Sequence, residues 1–131
     1  MMMSEFRTAL VVDDDNEWRQ LLVRLLQDHG WRVLEAADGK AAVECSERQS
    51  PDLVLLDLRM PGPVDGLRAA TLMRQIPALQ QIPLIALSAS PYKEYRDRAF
   101  AAGCTDFLSK PIRLKDLLTY INRLMAPTAV R

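Results

Sequence analysis

Thr8-Ala9-Leu10-Val11-Val12-Asp13-Asp14-Asp15 is the stretch on which the fold class turns. Its apolar run has no polar residue alternating within it, which predicts a short strand covered on both faces. Three acids end the run. Beyond them Trp18, Leu21, Leu22, Leu25 and Leu26 recur at helical spacing, predicting a helix with a core-facing stripe that Gly30 stops. A doubly covered strand followed at once by an amphipathic helix is half of a parallel crossover unit, because parallel neighbours cannot be joined by a tight turn.

The same alternation continues to the end of the chain. Trp31 to Ala36 reads as a second strand, and Asp38 caps a helix from about Gly39 to Arg48 that Ser50-Pro51 ends. Leu53-Val54-Leu55-Leu56 is a third strand running into Asp57. After Met60-Pro61-Gly62-Pro63-Val64-Asp65-Gly66 a helix extends to about Ile76, and Ile82 to Leu87 forms the fourth strand. Ser90-Pro91 predicts a cap followed by proline in the first turn of a helix that Gly103 closes. Asp106-Phe107-Leu108 is a brief fifth strand. Leu114, Leu117, Leu118, Ile121, Leu124 and Met125 then share one face of a last helix. Five such units with right-handed crossovers predict an α/β fold: a doubly wound, five-stranded parallel sheet of order 2-1-3-4-5 with five helices, the flavodoxin-like arrangement. One domain over residues 8–125 is expected, with 1–7 as an N-terminal extension and 126–131 as a C-terminal tail.

Composition narrows the function. The 131 residues fit one domain, and 49% hydrophobic with 26% charged residues is globular rather than disordered. Lys+Arg and Asp+Glu both count 17, so no bulk positive field exists to hold nucleic acid or an anionic membrane. Cys45 and Cys104 lie far apart without a C-x-x-C spacing, which predicts reduced thiols rather than zinc. No signal-peptide pattern opens the chain and no apolar run approaches a membrane span, so a cytoplasmic protein is expected. Ala126 to Arg131 reads as a tail only, so no second domain is expected after Met125.

In an open parallel sheet ligands bind beyond the carboxyl ends of the strands, where strand order reverses. Asp13-Asp14-Asp15, Asp57, Ser88 and Lys110 all fall at such ends. Acids converging on one crevice repel unless one is protonated or a cation intervenes, and oxygen donors suit Mg²⁺, with Mn²⁺ as an alternative. A carboxylate can attack a phosphoryl group to give an acyl phosphate, the protein supplying alignment and charge neutralisation. Asp57 is the natural nucleophile because it stands alone, while Asp13 and Asp14 share the metal. Lys110 and the Ser88 hydroxyl complete the surround of the transferring oxygens.

These residues resemble the receiver domains of two-component response regulators. The likeness runs from about Leu10 to Met125 through Val12-Asp13-Asp14, Asp52 to Asp57, Met60-Pro61, Asp65-Gly66, Leu87-Ser88-Ala89, Ala102-Gly103 and Lys110-Pro111. The resemblance implies that Asp57 is phosphorylated from a phosphohistidine on a sensor histidine kinase or histidine phosphotransfer protein. It implies Mg²⁺ on Asp14, Asp57 and the main-chain carbonyl of Arg59, with Asp13 contacting it directly or through water. It further implies a cis bond before Pro111 and a switch in which Ser88 moves toward the phosphate as Phe107 turns inward. That pair would couple Asp57 to a downstream protein target through the fourth and fifth β/α units. Two departures stand out: the loop from Met60 to Gly66 has one residue more than the family's Met-Pro-x-x-Asp-Gly, and Ser88 replaces the commoner threonine.

Plainer roles compete for several residues. Asp15 reads as a helix cap, Trp18 as core rather than a partner contact, and His29 as a surface residue or charge partner at a helix end. The Arg59 side chain either leans across the site or is solvated. Among functions, a pseudo-receiver scaffold needs no phosphorylation, but retention of Asp13, Asp14, Asp57, Ser88 and Lys110 argues against it. A phosphatase of the haloacid dehalogenase type matches Asp13-x-Asp15 but not the following Asn16-Glu17. A flavodoxin-like cofactor binder needs a phosphate-cradling loop where three acids stand. The expectation is a signalling phosphoacceptor, not an enzyme with a separate small-molecule substrate.

Overall fold

The computed structural model describes residues 7–90 and 92–126. Strands and helices alternate as β1 (Thr8–Val12), α1 (Asn16–Asp28), β2 (Arg32–Ala36), α2 (Gly39–Gln49), β3 (Leu53–Asp57), α3 (Gly66–Met73), β4 (Leu84–Ser88), α4 (Lys93–Ala101), β5 (Asp106–Ser109) and α5 (Leu114–Leu124). All pairings are parallel and the order is β2-β1-β3-β4-β5, as the alternation predicted.

Every residue of β1, β3 and β4 is buried, while the edge strands β2 and β5 are only partly covered. Successive side chains of a strand point to opposite faces, so the apolar runs divide between two cores. Leu10, Val12, Val54, Leu56, Leu84 and Ala86 meet α2, α3 and α4 on one face. Ala9, Val11, Leu53, Leu55, Ile85 and Leu87 meet Leu22, Val23 and Leu26 of α1 and Leu117 and Ile121 of α5 on the other. Burying each such leucine or valine contributes about 1.5–3 kcal/mol relative to exposure. The helix on which least depends is α4, with Ala99 as its single buried residue and no side-chain cap at its start.

Four expectations are corrected. Leu21 is 48% exposed, because the buried stripe of α1 centres on Leu22, Val23 and Leu26. The helix after Gly66 ends at Met73 rather than near Ile76. A 3-10 turn at Pro77–Leu79 follows, proline disfavouring helix in the residue before it. The fourth strand begins at Leu84, not Ile82, since Pro83 has no N–H to give the ladder and the Ile82 carbonyl is taken by the Arg74 guanidinium. α4 begins at Lys93 with Tyr92 at its cap position. Ser90 does not cap it: its hydroxyl accepts the Tyr92 N–H at 3.3 Å, a local turn that competes with capping. Pro91, offered as the first helical residue, lies outside the described residues, as do 1–6 and 127–131 of the expected extension and tail.

Register positions the functional edge. Val12 pairs with Ala36 and Leu56, Asp57 with Leu87, and Ser88 with Ser109. Asp13, Asp57, Ser88 and Lys110 therefore come to the same carboxyl edge of neighbouring strands.

Candidate functional site

Asp13 leaves β1 with its N–H donating to the Ala36 carbonyl of β2 at 3.1 Å, and the residue is 1% exposed. One carboxylate oxygen accepts the Asp15 N–H at 2.9 Å, which folds the acidic turn back on itself. Asp15 points the other way. Its carboxylate accepts the Glu17 and Trp18 N–H groups as the cap of α1, the role its spacing indicated. Asp14, between them, is exposed.

Asp57 ends β3 and is buried. Its Oδ1 accepts the Arg59 N–H at 3.2 Å, and its Oδ2 lies 3.8 Å from the Lys110 ammonium. Lys110, just past β5, donates to Asp13 Oδ2 at 2.9 Å. Ligand oxygens of Asp13, Asp14 and Asp57 all lie within 4.8 Å of one another. Burial pushes the Asp57 carboxyl up from 3.8 to about 6; the Asp13 and Asp14 charges add to this, while the Arg59 N–H and the Lys110 charge oppose it.

Ser88 is fully buried at the end of β4, and its hydroxyl accepts the Ser90 N–H at 3.1 Å. Among the described residues its own proton has no acceptor, and Ser88 stands at the same carboxyl edge as Asp57. Phe107 is buried in the core face shared with α4. The Lys110-Pro111 peptide is cis, as the resemblance implied. The Arg59 side chain is exposed and makes no ion pair among the described residues.

The loop after Met60 lies against the start of α2, where Val64 crowds Gly39. Pro61, Gly62, Pro63 and Val64 face Asp38 and Lys40 at the start of α2 across a recess of about 280 Å³ that includes none of Asp13, Asp14 or Asp57. Asp65 then caps α3 by accepting the Arg68 N–H at 2.9 Å. Gly66 is required there, because a Cβ would overlap the backbone of Leu58 and Asp57.

Two contacts were not anticipated. The Lys110 ammonium lies 5.8 Å from the ring centroid of Trp18, which itself packs on the α1/α5 core as expected. Arg19 donates to the Asp13 carbonyl at 2.8 Å. Neither has a local sequence signal, since both depend on how α1 sits against the strand ends. His29 remains outside the site, with its ring Nδ1 2.8 Å from the Leu25 carbonyl.

A family profile described as the response regulator receiver domain matches residues 9–122. This chain belongs to that family. Its receiver fold is similar to the chemotaxis protein CheY4 of Vibrio cholerae at a TM-score of 0.86 and 28% identity, covering 92% of this chain and 100% of that one. The receiver domain of sensor histidine kinase PA1611 from Pseudomonas aeruginosa PAO1 is 32% identical at a TM-score of 0.82. It covers 91% of this chain and 97% of that one, and its structure has a magnesium ion coordinated in the active site cleft. In sequence the receiver is 38% identical to the signal transduction histidine-protein kinase BarA of Escherichia coli K12 over 114 residues. That match covers 85% of this chain and 12% of the kinase, so the chain spans a small part of that relative's length.

The donor set fits a divalent cation. All three side chains offer oxygen, two are buried and one faces solvent, and the group carries more negative charge than Lys110 offsets. No helix among the described residues is long and apolar enough to cross a membrane.

Proposed function

We propose that this receiver, over residues 8–125, is a phosphoacceptor in a two-component or phosphorelay system, acting in the cytoplasm. Asp57 takes the phosphoryl group from a phosphohistidine on a sensor kinase or histidine phosphotransfer protein. Support comes chiefly from one arrangement: Asp57 ends a buried central strand with Asp13 and Asp14 within 4.8 Å and Lys110 3.8 Å away.

Asp13, Asp14, Asp57 and the Arg59 carbonyl would hold Mg²⁺, or Mn²⁺. Bound there, the cation neutralises charge on the phosphoryl oxygens. Three carboxylates against one ammonium leave two negative charges, which a divalent ion balances. An Asp57 oxygen forms the new bond to phosphorus as the phosphorus–nitrogen bond of the donor breaks, and the imidazole leaves with the electron pair and takes up a proton. Lys110 holds one phosphoryl oxygen and gives Asp13 a partner. Ser88 donates its free proton to another. Withdrawing the Ser88 hydroxyl from the Ser90 N–H changes the strand end from which α4 departs, and Phe107 fills the space behind it. A downstream protein target would read that change on the fourth and fifth β/α units. This account holds for a freestanding receiver and for one within a longer hybrid kinase or regulator.

Intact mass after incubation with acetyl phosphate and Mg²⁺ tests the reading. A gain of one phosphate that Asp57→Asn abolishes is the expected result. No gain, where a known receiver is modified under the same conditions, assigns the chain to the phosphorylation-independent scaffolds. Sustained turnover of a generic phosphate ester would instead mark a hydrolase.

A further inference from the structure

The acidic turn is held from a direction the phosphoacceptor chemistry does not explain. Asp14 is exposed, and its carboxylate has no hydrogen bond among the described residues. Its place beside Asp13 and Asp57 is therefore set by the backbone of residues 13–15. Besides the first helical bond from the Arg19 N–H to the Asp15 carbonyl at 2.9 Å, three contacts fix that backbone: the Asp13 N–H on Ala36, the Asp15 N–H on the Asp13 carboxylate, and the Arg19 Nη1 on the Asp13 carbonyl at 2.8 Å. The last fixes the plane of the peptide joining Asp13 to Asp14.

Arg19 is well suited to such a hold. Its side chain is 13% exposed, and all three guanidinium nitrogens are engaged. Nε donates to Glu35 Oε1 at 3.0 Å and Nη2 to Asn16 Oδ1 at 2.7 Å. Glu35 is itself steadied by the Gln20 amide at 2.7 Å, and it stands on β2 opposite Val11 of β1. The planar fork thus ties the acidic turn to β2 and to the first turn of α1 at once, which a lysine ammonium lacks the rigid geometry to do. The Glu35 carboxylate cancels the Arg19 charge locally, so the contribution is one of position.

We infer that Arg19, braced by Glu35, is a positioning residue that presets the Asp13–Asp14 peptide for the divalent cation. This rests on the metal reading proposed above. Outer contacts of this kind change metal affinity when removed, and the sign separates position from charge. Deleting a cation near the site by charge alone would tighten Mg²⁺ binding. Loosening the turn weakens it.

The test uses the full chain and the variants Arg19→Lys, Arg19→Ala and Glu35→Gln. Mg²⁺ affinity is read by titration calorimetry, metal-free stability by urea unfolding, and the acetyl phosphate modification rate as a function of Mg²⁺. Arg19→Lys keeps the charge and is expected to weaken Mg²⁺ binding about tenfold. Its modification rate should recover at saturating Mg²⁺, which a general defect of folding would not allow. Arg19→Ala should weaken binding at least as much, and Glu35→Gln, which retains an acceptor for Nε, less. Unchanged or tighter Mg²⁺ binding in Arg19→Lys and Arg19→Ala overturns the inference alone. A parent protein that binds no Mg²⁺ removes the metal reading and this inference together.

Discussion

Asparagine at position 57 should make the metal-free protein more stable at neutral pH, and the gain should vanish in acid. In the folded state the Asp57 carboxyl titrates at about 6 rather than its ordinary 3.8. Between those values the folded protein holds a proton that the unfolded chain has released, so stability falls as pH rises through the window. Above about 6 the full penalty applies, and below about 4 none does. Taken whole, the difference corresponds to about 3 kcal/mol. Water reaching the open side of the site screens part of it, leaving about 1–2 kcal/mol. Asparagine carries no charge to desolvate and still offers an oxygen to the Arg59 N–H. Urea unfolding in excess chelator should place Asp57→Asn about 1–2 kcal/mol above the parent at about pH 7.5, roughly 4–8 °C in melting temperature, and level with it at about pH 3.5. Mg²⁺ should close the neutral gap by stabilising the parent. A gap of the same size at both pH values, or no gap at neutral pH, refutes the electrostatic account of the site.

Lys110→Ala removes an ammonium 2.9 Å from Asp13, so Mg²⁺ should bind more tightly by calorimetry while acetyl phosphate modification slows about a hundredfold. Weaker Mg²⁺ binding would contradict this. Asp15→Ala should cost about 1 kcal/mol through its lost cap and leave Mg²⁺ affinity unchanged, whereas Asp14→Ala should do the reverse. Parallel calorimetry and urea titrations separate the two. Gly66→Ala pushes a methyl group into the backbone of Leu58 and Asp57 and should destabilise by about 1–3 kcal/mol, read as a shift in urea midpoint at constant slope.

Much of this was legible because the decisive elements are local. The apolar runs of β1 and β3 announced burial on both faces, and the acids and lysine at strand ends could only meet once the sheet was parallel. What escaped depends on contacts between distant segments. The early end of α3 is stabilised by Arg74, whose guanidinium gathers the carbonyls of Leu79, Ile82 and Gly103 and the Thr105 hydroxyl. No spacing within α3 encodes that. Leu21 fitted a helical stripe, but the rotation of α1 about its axis is chosen by the sheet beneath it. Arg19 sat unnoticed between Trp18 and Leu22, since its partners are a carbonyl on one side and a carboxylate of β2 on the other.

The sparse anchoring of α4 has a kinetic consequence. Lifting a helix that buries Ala99 and half-buries Tyr95 uncovers little apolar surface, so it opens locally at a small fraction of the free energy needed to separate β1 from β3. Its amide protons should exchange with deuterium well before those of the central strands. Because the chain leaves the sheet at Ser88, enters this helix at Lys93 and rejoins the sheet at Asp106 beside Phe107, the proposed switch would make the exchange rate of this one helix a gauge of what has happened at residue 57.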